Sequence, residues 1–204
     1  MPNPMPALSL VAIPGRRAAT LELAGEIERH GFSGIYMPSM LDALAFCEAL
    51  SFATKKIRFG TSVMPIYFRQ PADYANTTAF IHEISGGRFH FGIGVSHASS
   101  LQRMGVSGGK PVTDMRTFVE NYRAVPRTGD KPPVVIAGLR KRMIALAGEV
   151  GDGLVFANGA LSHMTESLGA LPGDKRASAD YFIGNMLPTC ISDDVEAAKA
   201  VNRK

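Results

Sequence analysis

The sequence predicts an α/β protein built on a parallel sheet, a TIM-type (β/α) barrel with about seven of its eight strands, as a single domain over residues 1–204. Three observations predict it. Short apolar runs alternate with helical patterns almost from end to end, as repeated βα units do. The runs begin roughly 20 to 30 residues apart, with one longer gap after the fourth, close to the spacing of eight-unit barrels. Nearly every run ends in small or polar residues, whereas an open doubly wound sheet concentrates such clearance at one turn.

LSLVAIP (8–14) is the first run, closed by Pro14-Gly15. Thr20 is placed to cap the first helix, which carries Leu23, Ala24 and Ile27 on one face and has Gly31 beyond its end. GIYMP (34–38) follows, and Ser39-x-x-Asp42 precedes the apolar helix Ala43 to Ala53. IRFGTSVMPI (57–66) is the third run, after which Asp73 opens a helix that Gly86-Gly87 stops. RFHFGIGV (88–95) is the fourth. A helix from about Asp114 to Val125 leads to VVIAG (134–138), and one from Leu139 to Val150 leads to LVFAN (154–158). FIGNMLPTCI (182–191) is the seventh run, and DDVEAAKAVNRK (193–204) begins a last helix.

Composition excludes several classes. With 46% apolar and 20% charged residues the chain has the profile of a soluble globular protein. No run of about 18 apolar residues offers a membrane span, and MPNPMPALSL carries prolines where a signal peptide has basic residues, so a cytoplasmic protein is expected. The net charge is +4, but apart from Arg16-Arg17 and Arg140-Lys141-Arg142 the cations are scattered. No basic stripe with interleaved stacking aromatics is present, and no nucleic acid partner is expected. Cys47 and Cys190 read as reduced core thiols, and no two of His30, His82, His90 and His163 have ligand spacing, so no metal site is expected. Those histidines read as structural, and Phe68, Phe91, Met104 and Met115 as core. No lysine stands at a strand C-terminus, which argues against a Schiff-base aldolase.

The chemistry concentrates in SGGRFHFGIGVSH (85–97). Gly92-x-Gly94 supplies two glycines of a dinucleotide fingerprint, but His97 occupies the third position, which argues against a nicotinamide Rossmann site. Glycines at a strand end mean that something approaches the backbone closely, a ligand or another segment of the protein. A ligand is favoured because Ser96 and His97 follow where one would sit. His97 can donate to a carbonyl or act as acid or base near neutral pH, the plain alternative being a loop histidine bonded locally. Arg140, Lys141 and Arg142 open a helix after Gly138, and cations there oppose the helix dipole unless an anion such as phosphate is present; a solvated basic turn is the alternative. Thr61 and Ser62 end the third run with two hydroxyls that can also bond locally.

GFSGIYMPS (31–39), IRFGTSVMPIYFRQP (57–71), ISGGRFHFGIGVSH (84–97) with Met104-Gly105, and AGLRKRMIALAGEVGDGLVFAN (137–158) together resemble the luciferase-like monooxygenase superfamily, over about residues 7 to 200. The resemblance implies a (β/α) barrel that uses FMN or the deazaflavin coenzyme F420 for hydride transfer or monooxygenation on a small organic molecule. It implies a non-proline cis peptide at Ser62-Val63 supporting one face of the ring, Gly92 and Gly94 beside it, and Gly138 with its basic turn near ribityl and phosphate. The implied cofactor-binding set is Ser39, Thr61, Ser62, Val63, Met64, Gly92, Gly94, Val95, Ala137, Gly138, Leu139, Arg140 and Asn158. The implied catalytic residues are His97, as proton donor, and Ser96, as its hydrogen-bonding partner. Relatives acting on sugar phosphates carry histidine and glutamate at the positions of Ser39 and Val95, so that acid-base pair is absent here. Val95-Ser96-His97 instead resembles a deazaflavin-linked subgroup. The chain stops at Lys204 before an eighth strand, and the segment from Tyr122 to Pro132 is short. An open barrel that pairs with another copy, as a homodimer or homo-oligomer, is therefore expected. The alternative is a non-catalytic flavin-binding or subunit protein of the same fold.

Overall fold

The computed structural model describes residues 5–203. Its strands are β1 (Leu8–Ser9), β2 (Gly34–Met37), β3 (Arg58–Thr61), β4 (Met64–Pro65), β5 (Phe89–Gly94), β6 (Val134–Ala137), β7 (Gly153–Ala157) and β8 (Phe182–Met186). They pair in parallel in the order β1-β2-β3-β5-β6-β7-β8, with β4 beside β5. The third apolar run is split into β3 and β4 at Ser62-Val63, whose peptide bond is cis. Seven strands thus form the curled path that seven runs predict. Among the described residues β8 and β1 do not pair, and the TIM-type barrel is incomplete.

The helices are α1 (Arg17–Arg29), α2 (Ala43–Ala53), α3 (Pro71–Ile84), α4 (Ala98–Arg103), α5 (Pro111–Ala124), α6 (Lys141–Val150), α7 (Leu161–Ser167), α8 (Gly173–Ala177) and α9 (Val195–Asn202). Asp42 caps α2 through a bond to the Ala45 N–H (3.2 Å), as its spacing predicts. Thr20 does not cap α1. The helix starts at Arg17, and the Thr20 hydroxyl donates back to the Arg16 carbonyl (2.9 Å) inside the first turn. The first run also pairs less than expected, with only Leu8 and Ser9 in register with β2.

Side chains alternate along each strand, and the two faces of the sheet differ. Phe89, Phe91 and Ile93 of β5 are fully buried and point toward the helices. There Phe91 lies 5.2 Å from the Tyr74 ring of α3 and 5.4 Å from the Tyr122 ring of α5. The Tyr122 hydroxyl bonds to that of Thr78 (2.7 Å), so the aromatic core is closed by a satisfied polar contact. On the inner face, Phe182 of β8 packs on Tyr36 of β2 (6.0 Å) and His90 of β5 (5.9 Å). These contacts across the barrel axis fix its curl. Met104 and Cys190 depart from the expected core. Met104 is exposed on the loop after α4, and Cys190 is half-buried beyond β8.

Candidate functional site at the strand C-termini

Parallel pairing brings the strand ends to one face, and hydrogen bonds tie them into a rim. Ser62 donates its N–H to the Met37 carbonyl at the end of β2 (2.7 Å) and its hydroxyl to the Met186 sulfur at the end of β8 (2.8 Å). Asn158, just past β7, donates its N–H to the Met186 carbonyl (2.7 Å). The Asn185 side chain holds both backbone groups of Gly159 (3.1 and 2.9 Å). The Thr61 hydroxyl donates to the Gly92 carbonyl (2.7 Å). Thr61, Ser62, Val63, Met64, Gly92, Gly94, Ala137 and Asn158 therefore meet on one rim, with Ser39 exposed just beyond β2.

The glycines do a different job from the one expected. A Cβ on Gly92 would overlap the Thr61 carbonyl, and one on Gly94 would stand 2.8 Å from Val63 and 3.4 Å from the Ala137 methyl. What approaches β5 is the chain's own Thr61–Val63 segment, and this corrects the expectation of a direct ligand approach. The consequence is an apolar bed. Val63, half-buried, lies over the bare end of β5 with Ala137 beside it. Gly138 is likewise a packing glycine. A Cβ there would press on Leu154, Met143 and Ile144 (3.3 to 3.4 Å), and its N–H is committed to the Val155 carbonyl (3.0 Å).

The basic turn begins α6. Arg140 is its N-cap with no side-chain cap; its carbonyl takes the Met143 and Ile144 N–H groups (3.0 and 3.1 Å), and the N–H groups of Lys141 and Arg142 have no partner within the helix. Lys141 pairs with Glu166 of α7 (2.7 Å), and that bond holds the Glu166 carboxyl below its usual range. Leu139, partly exposed, is fixed by its carbonyl, which meets the His163 ring (2.6 Å). Arg140 and Arg142 are exposed. Amide N–H groups beside two guanidiniums are a donor set suited to a phosphate, and a flat apolar bed suits a ring, so the residues present fit a phosphate-bearing flavin or deazaflavin.

His97 and Ser96 follow β5. His97 is exposed and caps α4 only through its carbonyl, which accepts from Ser100 and Leu101 (2.9 and 3.0 Å). Ser96 is half-buried with φ 61°, in the left-handed region. Leu41 (φ 59°) and Asn158 (φ 54°) share that conformation, so three of the four non-glycine residues found there lie just past strand ends. Such strain persists where the surroundings enforce it and clusters at functional sites.

A cleft of about 470 Å³ beside Ser96 is the feature sequence reasoning missed. Tyr67, Val95, Ser96, Leu101, Gln102, the loop from Gly105 to Gly109 and Pro111 line it, while Lys110 and His97 do not. The Tyr67 hydroxyl donates to Asp114 (2.8 Å), and burial, together with that carboxylate, pushes its pKa up to about 12. The signal in the sequence was Gly105 and Gly108-Gly109, a loop without bulk opposite a strand end. Deeper in the barrel the His90 Nδ1 has no hydrogen-bond partner, and burial, then the charges of Arg58 and His82, lower its pKa to about 4. Among the described residues no three His, Cys, Asp or Glu side chains gather as a metal site, and no helix is long and apolar enough to cross a membrane.

Solved structures place this fold among TIM-type barrels. An F420-dependent secondary alcohol dehydrogenase in complex with an F420-acetone adduct superposes with a TM-score of 0.80, at 19% identity, over 98% of this chain and 73% of that one. The coenzyme F420-dependent tetrahydromethanopterin reductase of Methanopyrus kandleri gives 0.75, at 16% identity, over 96% and 69%. The sequence model described as Luciferase-like monooxygenase matches residues 7–204, and the chain belongs to that family. Among curated proteins, a 5,10-methylenetetrahydromethanopterin reductase of Methanolobus tindarius is 27% identical over 198 residues, 85% of this chain and 61% of that protein. A putative coenzyme F420-dependent oxidoreductase of Mycobacterium tuberculosis is 25% identical over 222 aligned positions, 88% of this chain. The chain thus spans less than two thirds of these relatives' length, 61% and 64%.

Proposed function

We propose that this chain acts as an oxidoreductase that moves hydride between coenzyme F420 and a small organic molecule, and we place FMN-dependent monooxygenation second. The observation that carries the proposal is the apolar Val63–Gly94–Ala137 bed at the strand C-termini, where Leu41, Ser96 and Asn158, beyond the ends of β2, β5 and β7, hold left-handed backbone. The deazaflavin is favoured because the relatives by sequence are named as reductases and as an F420-dependent oxidoreductase.

The cofactor, when bound, supplies the hydride. Val63 and Ala137 support its ring, and Thr61, Ser62, Met64, Gly92 and Val95 hold that bed in place. Arg140, Arg142 and the first-turn N–H groups of α6 bind the phosphate, beside Leu139 and Gly138. Ser39 and Asn158 stand at the rim. His97 holds the proton that a reduced carbonyl oxygen needs, and Ser96 orients the substrate oxygen by hydrogen bonding. Two copies pair through the outer faces of α2 and α3, where Phe52 and Phe80 are 64% and 50% exposed.

The test is turnover of reduced F420 with a panel of ketones, followed by its visible absorbance. His97→Ala lowers kcat by about a hundredfold or more while cofactor affinity changes less than about threefold. An unchanged kcat removes His97 from the chemistry. No turnover by the intact protein, with F420 still bound, makes the chain a non-catalytic binding protein.

A further inference from the structure

The cleft beside Ser96 has walls of one electrical kind. Val95, Leu101 and Val106 are apolar, Tyr67, Ser96 and Gln102 are polar but neutral, and no lining side chain carries a charge at neutral pH. Its volume, about 470 Å³, falls in the range of about 300 to 1,000 Å³ typical of small-molecule pockets. Asp114 stands behind the wall with its carboxylate already taken by the Tyr67 hydroxyl and the Gly109 N–H (2.8 and 3.0 Å). The loop is seated firmly on that wall. A Cβ at Gly108 would come within 2.8 Å of Leu101, and one at Gly109 within 2.6 Å of Asp114.

We infer that this cleft is the substrate subsite and that it selects neutral, mainly apolar molecules bearing one carbonyl or hydroxyl oxygen, against carboxylates and phosphate esters. The inference rests on the oxidoreductase reading only for the word substrate. An anion placed here would lose its water without gaining a cation, and would approach the Asp114 charge. A neutral carbonyl keeps one good acceptor bond, to the Gln102 amide or the Ser96 hydroxyl, and buries its carbon frame against Leu101 and Val106. The cations suited to a phosphate are elsewhere, at the start of α6.

The test uses the full chain, isotope-labelled, and follows the amide signals of Gly105, Gly108 and Gly109 in two titrations, with methylcyclohexanone and with oxocyclohexanecarboxylate. The ketone shifts these signals saturably, and the carboxylate binds at least tenfold more weakly. Val106→Phe, which fills the cleft, abolishes the ketone response, and Gln102→Leu weakens it at least threefold, while affinity for F420 or FMN stays within twofold. Ketone shifts mapping elsewhere, equal binding of the carboxylate, or indifference to both substitutions overturns the inference. If Val106→Phe does not fold, the wild-type shift map and Gln102→Leu decide. Ketone binding in a protein that takes neither F420 nor FMN leaves the subsite standing and removes the oxidoreductase reading. Cofactor binding without a ketone in the cleft does the reverse.

Discussion

The two ends of the barrel are built on opposite principles. At the strand N-termini, charged side chains clamp backbone that would otherwise be unsatisfied. The Glu28 carboxylate accepts the N–H groups of Lys55, Lys56 and Ile57 (2.6 to 3.0 Å), and Arg88 reaches the carbonyls of Ser51, Thr54, Ile57 and Ser85 and the Thr54 hydroxyl. Asp152 takes the Val134 N–H (2.9 Å) and an Arg123 guanidinium (3.0 Å). At the C-termini, neutral contacts hold the rim, backbone sits in the left-handed region, and Met40, Leu41, Leu139, Leu161 and Leu187 lie exposed. Charge-assisted bonds at one end supply the stability that strained, apolar loops at the other forgo. A barrel divides its labour in this way because ligands meet the strand C-termini.

The largest effect that would break this contrast lies at the closed end. Arg88→Ala leaves several part-buried carbonyls without a donor and lowers the unfolding free energy by about 2–4 kcal/mol, read by denaturant titration. A loss under about 1 kcal/mol would mean that the clamp is ornamental. Next comes acid. His90 takes up its proton only near pH 4, whereas in the unfolded chain it does so near the ordinary 6.5. The unfolded state therefore binds the extra proton first, and stability falls by up to about 3 kcal/mol as pH drops through that window. His90→Phe flattens this part of the curve. The Glu28 clamp weakens as pH falls below the ordinary carboxylate value. Burial of its carboxyl opposes ionisation, but the N–H groups of Ile57, Lys56 and Lys55 and the Arg88 charge outweigh it and lower its pKa. Smallest is the response at the mouth. Leu41→Gly relieves a left-handed leucine and leaves stability unchanged or higher by up to about 1 kcal/mol in thermal unfolding, where a clear loss would mean that contacts of the leucine side chain outweigh its backbone strain.

Apolar runs announced every strand except β4 as a separate one, because burial on both faces of a parallel sheet leaves near-continuous apolar stretches. The split of the third run left no such mark, since Thr61 through Pro65 read as one strand until pairing shows β4 set against β5 alone. The rim residues were legible as small or polar strand ends. The meaning of Gly92, Gly94 and Gly138 was not, because a missing Cβ records that something is near without saying what. Here it is Thr61, Val63, Leu154 and Met143. The cleft escaped because its walls come from Tyr67, Leu101 and Gln102, which local sequence treats as ordinary helix and loop positions. The carboxylate clamps of Glu28 and Asp152 escaped for the same reason. Each bonds to backbone, which has no sequence signal.

The most direct test is fluorescence titration of the wild-type chain and of Val63→Glu with F420 and with FMN, alongside the unfolding midpoint of each. Saturable binding of one cofactor, at least tenfold weaker in Val63→Glu with the midpoint unchanged, is the predicted result. Binding that ignores Val63, or no binding of either cofactor, would contradict the assignment of the mouth as the cofactor site.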